Sequence, residues 1–169
     1  NDPELAETIR CLREHGQERK YFHKMEGYNG RMDNLQAAVL RAKLPLLDRW
    51  NERRQQIARL YEKHLGSCNE VRLPTVADYN AHVFHLYVIL TEDTKGLSEY
   101  LRQKNVFTGF HYPLPLHLQD AYAYRSEGLG TYPVSERCAE RLISLPMFPE
   151  LTEQQVIKVC TEIRHYFSN

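Results

Sequence analysis

Apolar residues near the start of the chain recur at the spacing of an amphipathic helix. The apolar face of this segment consists of Leu5, Ile9 and Leu12. Asn1 or Asp2 can cap the first free N–H groups, Pro3 suits the first helical turn, and Gly16 stands where such a helix would stop. The pattern predicts an opening helix, followed over residues 17–32 by an exposed polar loop rich in aromatic side chains.

A second helical pattern follows this loop. Its apolar face consists of Leu35, Ala38, Val39, Ala42 and Leu46. Asp33 precedes it as the expected N-cap, and Gln36 completes a capping-box pattern. Pro45 is expected to end or kink this helix, and a third helix then runs to about Leu65, before Gly66. The two segments predict a long, bent helical connector.

The pattern changes beyond Gly66, where short apolar runs alternate with amphipathic ones. Residues 82–90 are rich in β-branched and aromatic side chains, which predicts a buried strand, and residues 106–112 predict a second one. A helix is expected between them, and another short helix leads into a strand at 143–145. A final helix begins after Thr152, with Val156, Val159, Cys160 and Ile163 facing inward. Helices packed on a small sheet predict an α+β domain.

Composition narrows the classes of partner. Lys plus Arg and Asp plus Glu both number 22, so the chain has no general basic field for nucleic acid. The four cysteines are far apart and form no C-x-x-C pair, which is typical of a reducing, cytoplasmic compartment. No apolar run approaches the roughly 18 residues that a membrane span needs. Neither nucleic acid nor membrane is therefore expected as a partner.

The segment "GYNGR" stands immediately before the second helix. Its two glycines permit sharp bends and close approach, while the Asn29 amide and the Arg31 guanidinium are good donors to an anion near a helix N-terminus. The alternative is a turn that only starts the helix, because Asp33 would occupy the cap and its charge opposes an anion. Local sequence leaves both interpretations open.

Histidines supply the second candidate site. His111 and Tyr112 end a predicted strand and enter a proline-stiffened loop, a common place for binding groups. A metal site using His111 and His117 has no recognised ligand spacing, and the alternation of a strand would point His82 and His85 to opposite faces. No metal site is expected. The chain also contains no G-x-S-x-G and no phosphate-binding loop motif.

Four segments in order resemble a known family: "KYFHKMEGYNGRMDNLQAAVLRAKL", "HVFHLYVI", "GFHYPLPLHLQDAY" and "YPVSERCAERLISLPMFPELTEQQ". They are similar to the carboxyl-terminal part of the DegT/DnrJ/EryC1/StrS sugar aminotransferases, which use pyridoxal 5'-phosphate. The resemblance implies an α/β protein of the type I aminotransferase fold. Residues 1–47 would end the large cofactor-binding domain, and residues 48–169 would form a helical connector and the small α+β carboxyl-terminal domain.

The resemblance also implies site residues and partners. Asn29 matches a residue that reaches across a homodimer interface toward the cofactor phosphate of the other subunit, and Arg31 lies near the same anionic region. His111 and Tyr112 match positions that contact the nucleotide-diphosphate or sugar in the partner's site. The implied reaction moves an amino group from glutamate or glutamine to a nucleotide-linked keto sugar.

No residue of this chain is expected to be catalytic. The lysine that forms a Schiff base with the cofactor lies upstream in the family, and Lys20, Lys24 and Lys43 do not match its position. The chain by itself is therefore not expected to transaminate. Three alternatives stay open: a non-catalytic binding module, one half of a split enzyme, and a relative in which histidine replaces the lysine and the reaction is a sugar dehydration.

Overall fold

A computed structural model describes residues 1–168 and divides the chain into two compact units. The first unit is Asn1–Leu47, and the second begins at Asp48. Helices and short strands are mixed along the chain, as expected for an α/β protein. None of the described helices is long and apolar enough to cross a membrane.

The first unit opens with the predicted helix, α1 (Pro3–Arg13). Of the two candidate caps, Asp2 is the one used, because its Oδ1 accepts the N–H groups of Glu4 and Leu5 at 3.0 Å. Gly16 follows the helix in the left-handed region, with a φ of 74°. The predicted loop that comes next contains a short antiparallel hairpin that sequence did not indicate. Its strands are β1 (Gln17–Arg19) and β2 (Phe22–His23).

Helix α2 (Asn34–Lys43) lies where it was predicted, but its capping box is absent. Asp33 occupies the N-cap with extended backbone angles, yet its side chain makes no cap hydrogen bond. No residue of α2 is buried among the described residues, so solvent can satisfy the first N–H groups and the capping side chain is not required. The apolar face of α2 is exposed, with Leu35 at 79%. Pro45 ends α2 as predicted, in a 3₁₀ turn at Leu44–Leu46.

Among its described residues, the second unit contains four α-helices and one two-stranded sheet. The helices are α3 (Leu47–Leu65), α4 (Thr94–Gln103), α5 (Pro133–Arg141) and α6 (Glu153–Ser168). Strands β3 (Tyr87–Leu90) and β4 (Leu142–Leu145) pair antiparallel, with Tyr87 opposite Leu145 and Leu90 opposite Leu142. Thr152 caps α6 as expected and exchanges hydrogen bonds with Gln155.

Two strand predictions are wrong in extent. The first strand begins only at Tyr87, because Phe84 takes a left-handed φ of 50° and donates its N–H to His82 Nδ1 at 2.9 Å, which forms a local turn. His82 and His85 therefore precede the strand, and the alternation argument does not apply to them. The second predicted strand, residues 106–112, contains a single bridge between Gly109 and Ser144.

The core of the second unit lies between α3, α4, α6 and the sheet. Its fully buried members include Ile57, Tyr61, Leu97, Ile143 and Ile163. Tyr61 stacks on Tyr87 with ring centroids 4.7 Å apart and donates its hydroxyl to Pro146 O at 2.8 Å. The residues predicted to face inward on α6, Val156, Val159, Cys160 and Ile163, are all buried. This core holds β4, and with it Ser144, in a fixed place.

Candidate functional site

The first predicted binding segment, residues 27–31, lies against the carboxyl end of α1. Three main-chain hydrogen bonds hold it there: Tyr28 N to Leu12 O at 2.7 Å, His15 N to Tyr28 O at 3.0 Å and Gly30 N to Arg13 O at 2.9 Å. The segment is therefore a docked stretch of backbone, whose position follows from where α1 ends.

The glycines of this segment serve backbone packing. A methyl group at Gly27 would lie 2.1 Å from Gly16 N, and one at Gly30 would lie 3.2 Å from Arg13 Cβ. No side chain fits at the first position, because contacts below about 3 Å between such atoms do not occur in real structures. The sequence pattern associated these glycines with close approach to an anion. In the structure they instead allow close approach to the end of α1.

Docking of the backbone leaves Asn29 and Arg31 at the surface. Arg31 Nη1 forms an ion pair with Glu14 Oε1 at 2.9 Å, and the Arg31 side chain is 66% exposed. Its Nη2 and Nε donors keep no hydrogen bond within residues 1–168, and neither does the Asn29 amide. These donors fit a phosphate group. The Asp33 side chain accepts no hydrogen bond from the first N–H groups of α2, so these groups stay available to a ligand, while the Asp33 charge still lies at this end of the helix.

The second predicted pair lies in the other unit. His111 Nδ1 is 2.9 Å from Ser144 Oγ, and Ser144 is only 4% exposed. Tyr112 is 71% exposed, and its ring meets the His111 ring edge-on with centroids 5.4 Å apart. The structure thus brings the rings of His111 and Tyr112 into contact, whereas Asn29 and Arg31 share an exposed segment of the first unit.

A cleft of about 510 Å³ opens beside Tyr112, between the proline-rich loop and α5. Its lining includes Tyr112, Pro113, Leu114, Gln119, Cys138 and Leu142. Most of this lining is apolar, and within residues 1–168 the Tyr112 hydroxyl makes no hydrogen bond. Such a cleft can accept a ligand that has an apolar face and a few polar atoms.

His117 is a buried side chain bonded to a carboxylate, which is not the environment that a metal ligand would need. It is buried, and its Nε2 lies 2.9 Å from Glu136 Oε1. The same carboxylate accepts the N–H groups of Gly130 and Tyr132 at 2.9–3.1 Å. Burial by itself would raise the pKa of Glu136, but these N–H groups and the His117 ring outweigh it and hold that pKa below its usual value.

No motif singled out Glu136 from the sequence, although a signal exists. A glutamate in the first turn of a helix, after a glycine-containing loop, is well placed to accept the loop's N–H groups. Among residues 1–168, no three His, Cys, Asp or Glu side chains gather into a group that could hold a metal ion.

Comparisons with known proteins identify the family of this chain. The model of the DegT/DnrJ/EryC1/StrS aminotransferase family matches residues 1–164. A pleiotropic regulatory protein of Geobacillus stearothermophilus is 42% identical over 171 residues, covering 99% of this chain and 45% of the relative. The dTDP-3-amino-3,6-dideoxy-alpha-D-galactopyranose transaminase of Aneurinibacillus thermoaerophilus is 39% identical over 166 residues, covering 98% and 45%.

The fold agrees with solved structures of such proteins. The crystal structure of DesV from S. venezuelae superimposes with a TM-score of 0.95 at 39% identity, covering 99% of this chain and 45% of DesV. The chain thus spans less than half the length of the relatives it matches. Sequence match, structural match and the order of the four segments agree, and the chain belongs to the DegT/DnrJ/EryC1/StrS aminotransferase family.

Proposed function

We propose that residues 1–169 form the carboxyl-terminal part of a pyridoxal-phosphate-dependent nucleotide-sugar aminotransferase. The enzyme would move an amino group from glutamate or glutamine to a nucleotide-linked keto sugar. The observation that carries this proposal is the match of nearly the whole chain to a sugar transaminase at 39% identity. In this proposal residues 1–47 end the large domain, and residues 48–169 form the connector and small domain.

Asn29 and Arg31 are assigned to the cofactor phosphate of the other subunit in a homodimer. The exposed donors described above support this assignment, and the ion pair with Glu14 at 2.9 Å orients the Arg31 guanidinium. Glu14 takes one guanidinium nitrogen, so the remaining nitrogens can still bind a phosphate oxygen. When bound, pyridoxal phosphate supplies an electron sink for exchange of the amino group. This chain's contribution is to hold the phosphate end.

His111 and Tyr112 are assigned to the nucleotide-linked sugar. His111 offers its Nε2, which has no partner within residues 1–168, and Tyr112 offers an exposed hydroxyl at the edge of the apolar cleft. A nucleotide sugar combines flat apolar faces with many oxygen acceptors, which suits this combination of groups. These side chains bind and orient the substrate, and no proton transfer is assigned to them.

The test uses the longer polypeptide that naturally carries residues 1–169, purified with pyridoxal phosphate. We expect it to aminate a dTDP- or UDP-linked keto sugar with glutamate or glutamine as donor, detected by the mass of the product. Failure with all of these donor and acceptor pairs, together with loss of water from the sugar, would favour the dehydratase alternative. Binding of the nucleotide sugar without any turnover would favour the binding module.

Asn29→Ala in the same protein tests the phosphate assignment. Loss of a hydrogen bond to a charged group costs about 1.5–3 kcal/mol, so the dissociation constant for pyridoxal phosphate should rise by about 10- to 150-fold. Asn51→Ala is the matched control, because Asn51 lies on α3 and makes no side-chain hydrogen bond within the described residues. Equal cofactor affinity in both variants would remove Asn29 from the site.

A further inference from the structure

Ser144 and Gly109, to which no binding role has been assigned, hold the ring of His111 in place. Ser144 Oγ lies 2.9 Å from His111 Nδ1, and the main chain of Ser144 bridges Gly109 through two hydrogen bonds of 2.7 and 3.1 Å. β4 therefore holds both the side chain of His111 and the backbone just before it. Because β4 is buried along its whole length, this support is part of the core.

Gly109 leaves room for the ring. A methyl group at this position would lie 2.7 Å from His111 Cε1 and 3.3 Å from Nδ1. Any larger residue would push the ring away from Ser144. The ring also meets the Tyr112 ring edge-on, with centroids 5.4 Å apart. Three neighbours thus fix the orientation of the ring and leave only Nε2 without a partner.

The hydrogen bond to Ser144 also determines which ring nitrogen carries the proton. Within residues 1–168, Ser144 Oγ has no polar partner other than His111 Nδ1. If Nδ1 carried the proton, the hydroxyl hydrogen of a side chain that is only 4% exposed would have no acceptor, which is costly in a protein interior. The hydroxyl therefore donates to Nδ1, and the neutral ring carries its proton on Nε2.

We infer that Ser144 and Gly109 are positioning residues, which present His111 Nε2–H as a hydrogen-bond donor to an oxygen atom of the nucleotide sugar. This inference rests on the proposed function, since it takes His111 as a substrate-binding residue. Ser144 touches no substrate itself. It acts through the ring, by fixing both the direction and the donor character of Nε2.

The first experiment needs no ligand. Two-dimensional NMR of the longer polypeptide, labelled with ¹⁵N-histidine, identifies the protonated nitrogen of His111, assigned by its loss in His111→Ala. We expect the Nε2–H form alone in the wild-type chain, a mixture of both forms in Ser144→Ala, and recovery of the single form in Ser144→Thr. Thr94→Val, which removes another buried hydroxyl that bonds Glu140 O, should leave the His111 signals unchanged. An Nδ1–H form in the wild-type chain would overturn the inference even if the variants fail to fold.

The second experiment measures the affinity of the longer polypeptide for dTDP-glucose and UDP-N-acetylglucosamine by calorimetry. Loss of one hydrogen bond should weaken binding by about 2- to 10-fold in His111→Ala. Ser144→Ala and Gly109→Ala should each show part of this loss, because a fraction of the rings still presents Nε2–H, and adding either change to His111→Ala should cause no further loss. If only His111→Ala weakens binding, Ser144 and Gly109 have no positioning role and the proposed function stands. If His111→Ala has no effect, the assignment of His111 in the proposed function fails.

Discussion

Arg54 holds together the two strand termini at one end of the sheet that supports the His111 loop, and its removal is the sharpest test of how that sheet is held. The guanidinium Nη1 lies 3.0 Å from Met147 O, 3.2 Å from His85 O and 3.3 Å from Phe84 O. Two of these carbonyls precede β3 and the third follows β4. One charged side chain on α3 therefore ties the entry of β3 to the exit of β4.

The expected cost of Arg54→Met follows from these contacts. The shortest bond has a charged donor and a partly buried carbonyl, which corresponds to about 1.5–3 kcal/mol. The two longer contacts share one N–H of Arg54 and contribute less to the free energy of unfolding. They lie near the outer limit of hydrogen-bond length, and His85 is exposed to water. The free energy of unfolding should fall by about 2–4 kcal/mol in total. Methionine keeps most of the apolar stem, so this loss reports mainly on the guanidinium.

Urea unfolding measures this loss, followed by circular dichroism and by the fluorescence of Trp50 on α3. Coincidence of the two transitions checks that a single free energy is defined. The control is Arg59→Met on the same helix, because Arg59 is exposed and makes no hydrogen bond or ion pair within the described residues. We expect a change within about 0.5 kcal/mol for this control. Equal losses in Arg54→Met and Arg59→Met would refute the reasoning.

Three further changes test other parts of the second unit. The pKa of Glu136 in the folded state lies below its ordinary value of 4.5, so the stabilisation by this carboxylate is present above pH 4.5 and is lost as the pH falls through the folded-state pKa. The difference in the free energy of unfolding between wild type and Glu136→Gln should therefore shrink on acidification. A difference that stays constant would contradict this. Tyr61→Phe should cost about 0.5–1.5 kcal/mol in urea unfolding through loss of the bond to Pro146 O, and no loss would show that water replaces it. Burial raises the pKa of the Cys160 thiol to about 12, so a thiol reagent should modify the partly exposed Cys138 in the folded chain and Cys160 only after denaturation.

Helices were predictable because their signals are local. The spacing of apolar residues and the positions of Pro45 and Thr152 located α2, the turn after it and α6 to within a few residues. Strands were less predictable. An apolar run such as residues 82–90 does not reveal that Phe84 adopts a left-handed backbone, since that conformation depends on a hydrogen bond to the His82 side chain.

Sequence by itself determined the residue types of the candidate site, through the order of four segments and the donors they contain. Only the tertiary structure decided how these residues are supported. The contact of Gly27 with Gly16, the ion pair of Arg31 with Glu14 and the bond of His111 to Ser144 join residues that are distant in the chain. No periodicity or motif encodes such contacts, because they arise only when separate elements pack and place their side chains side by side.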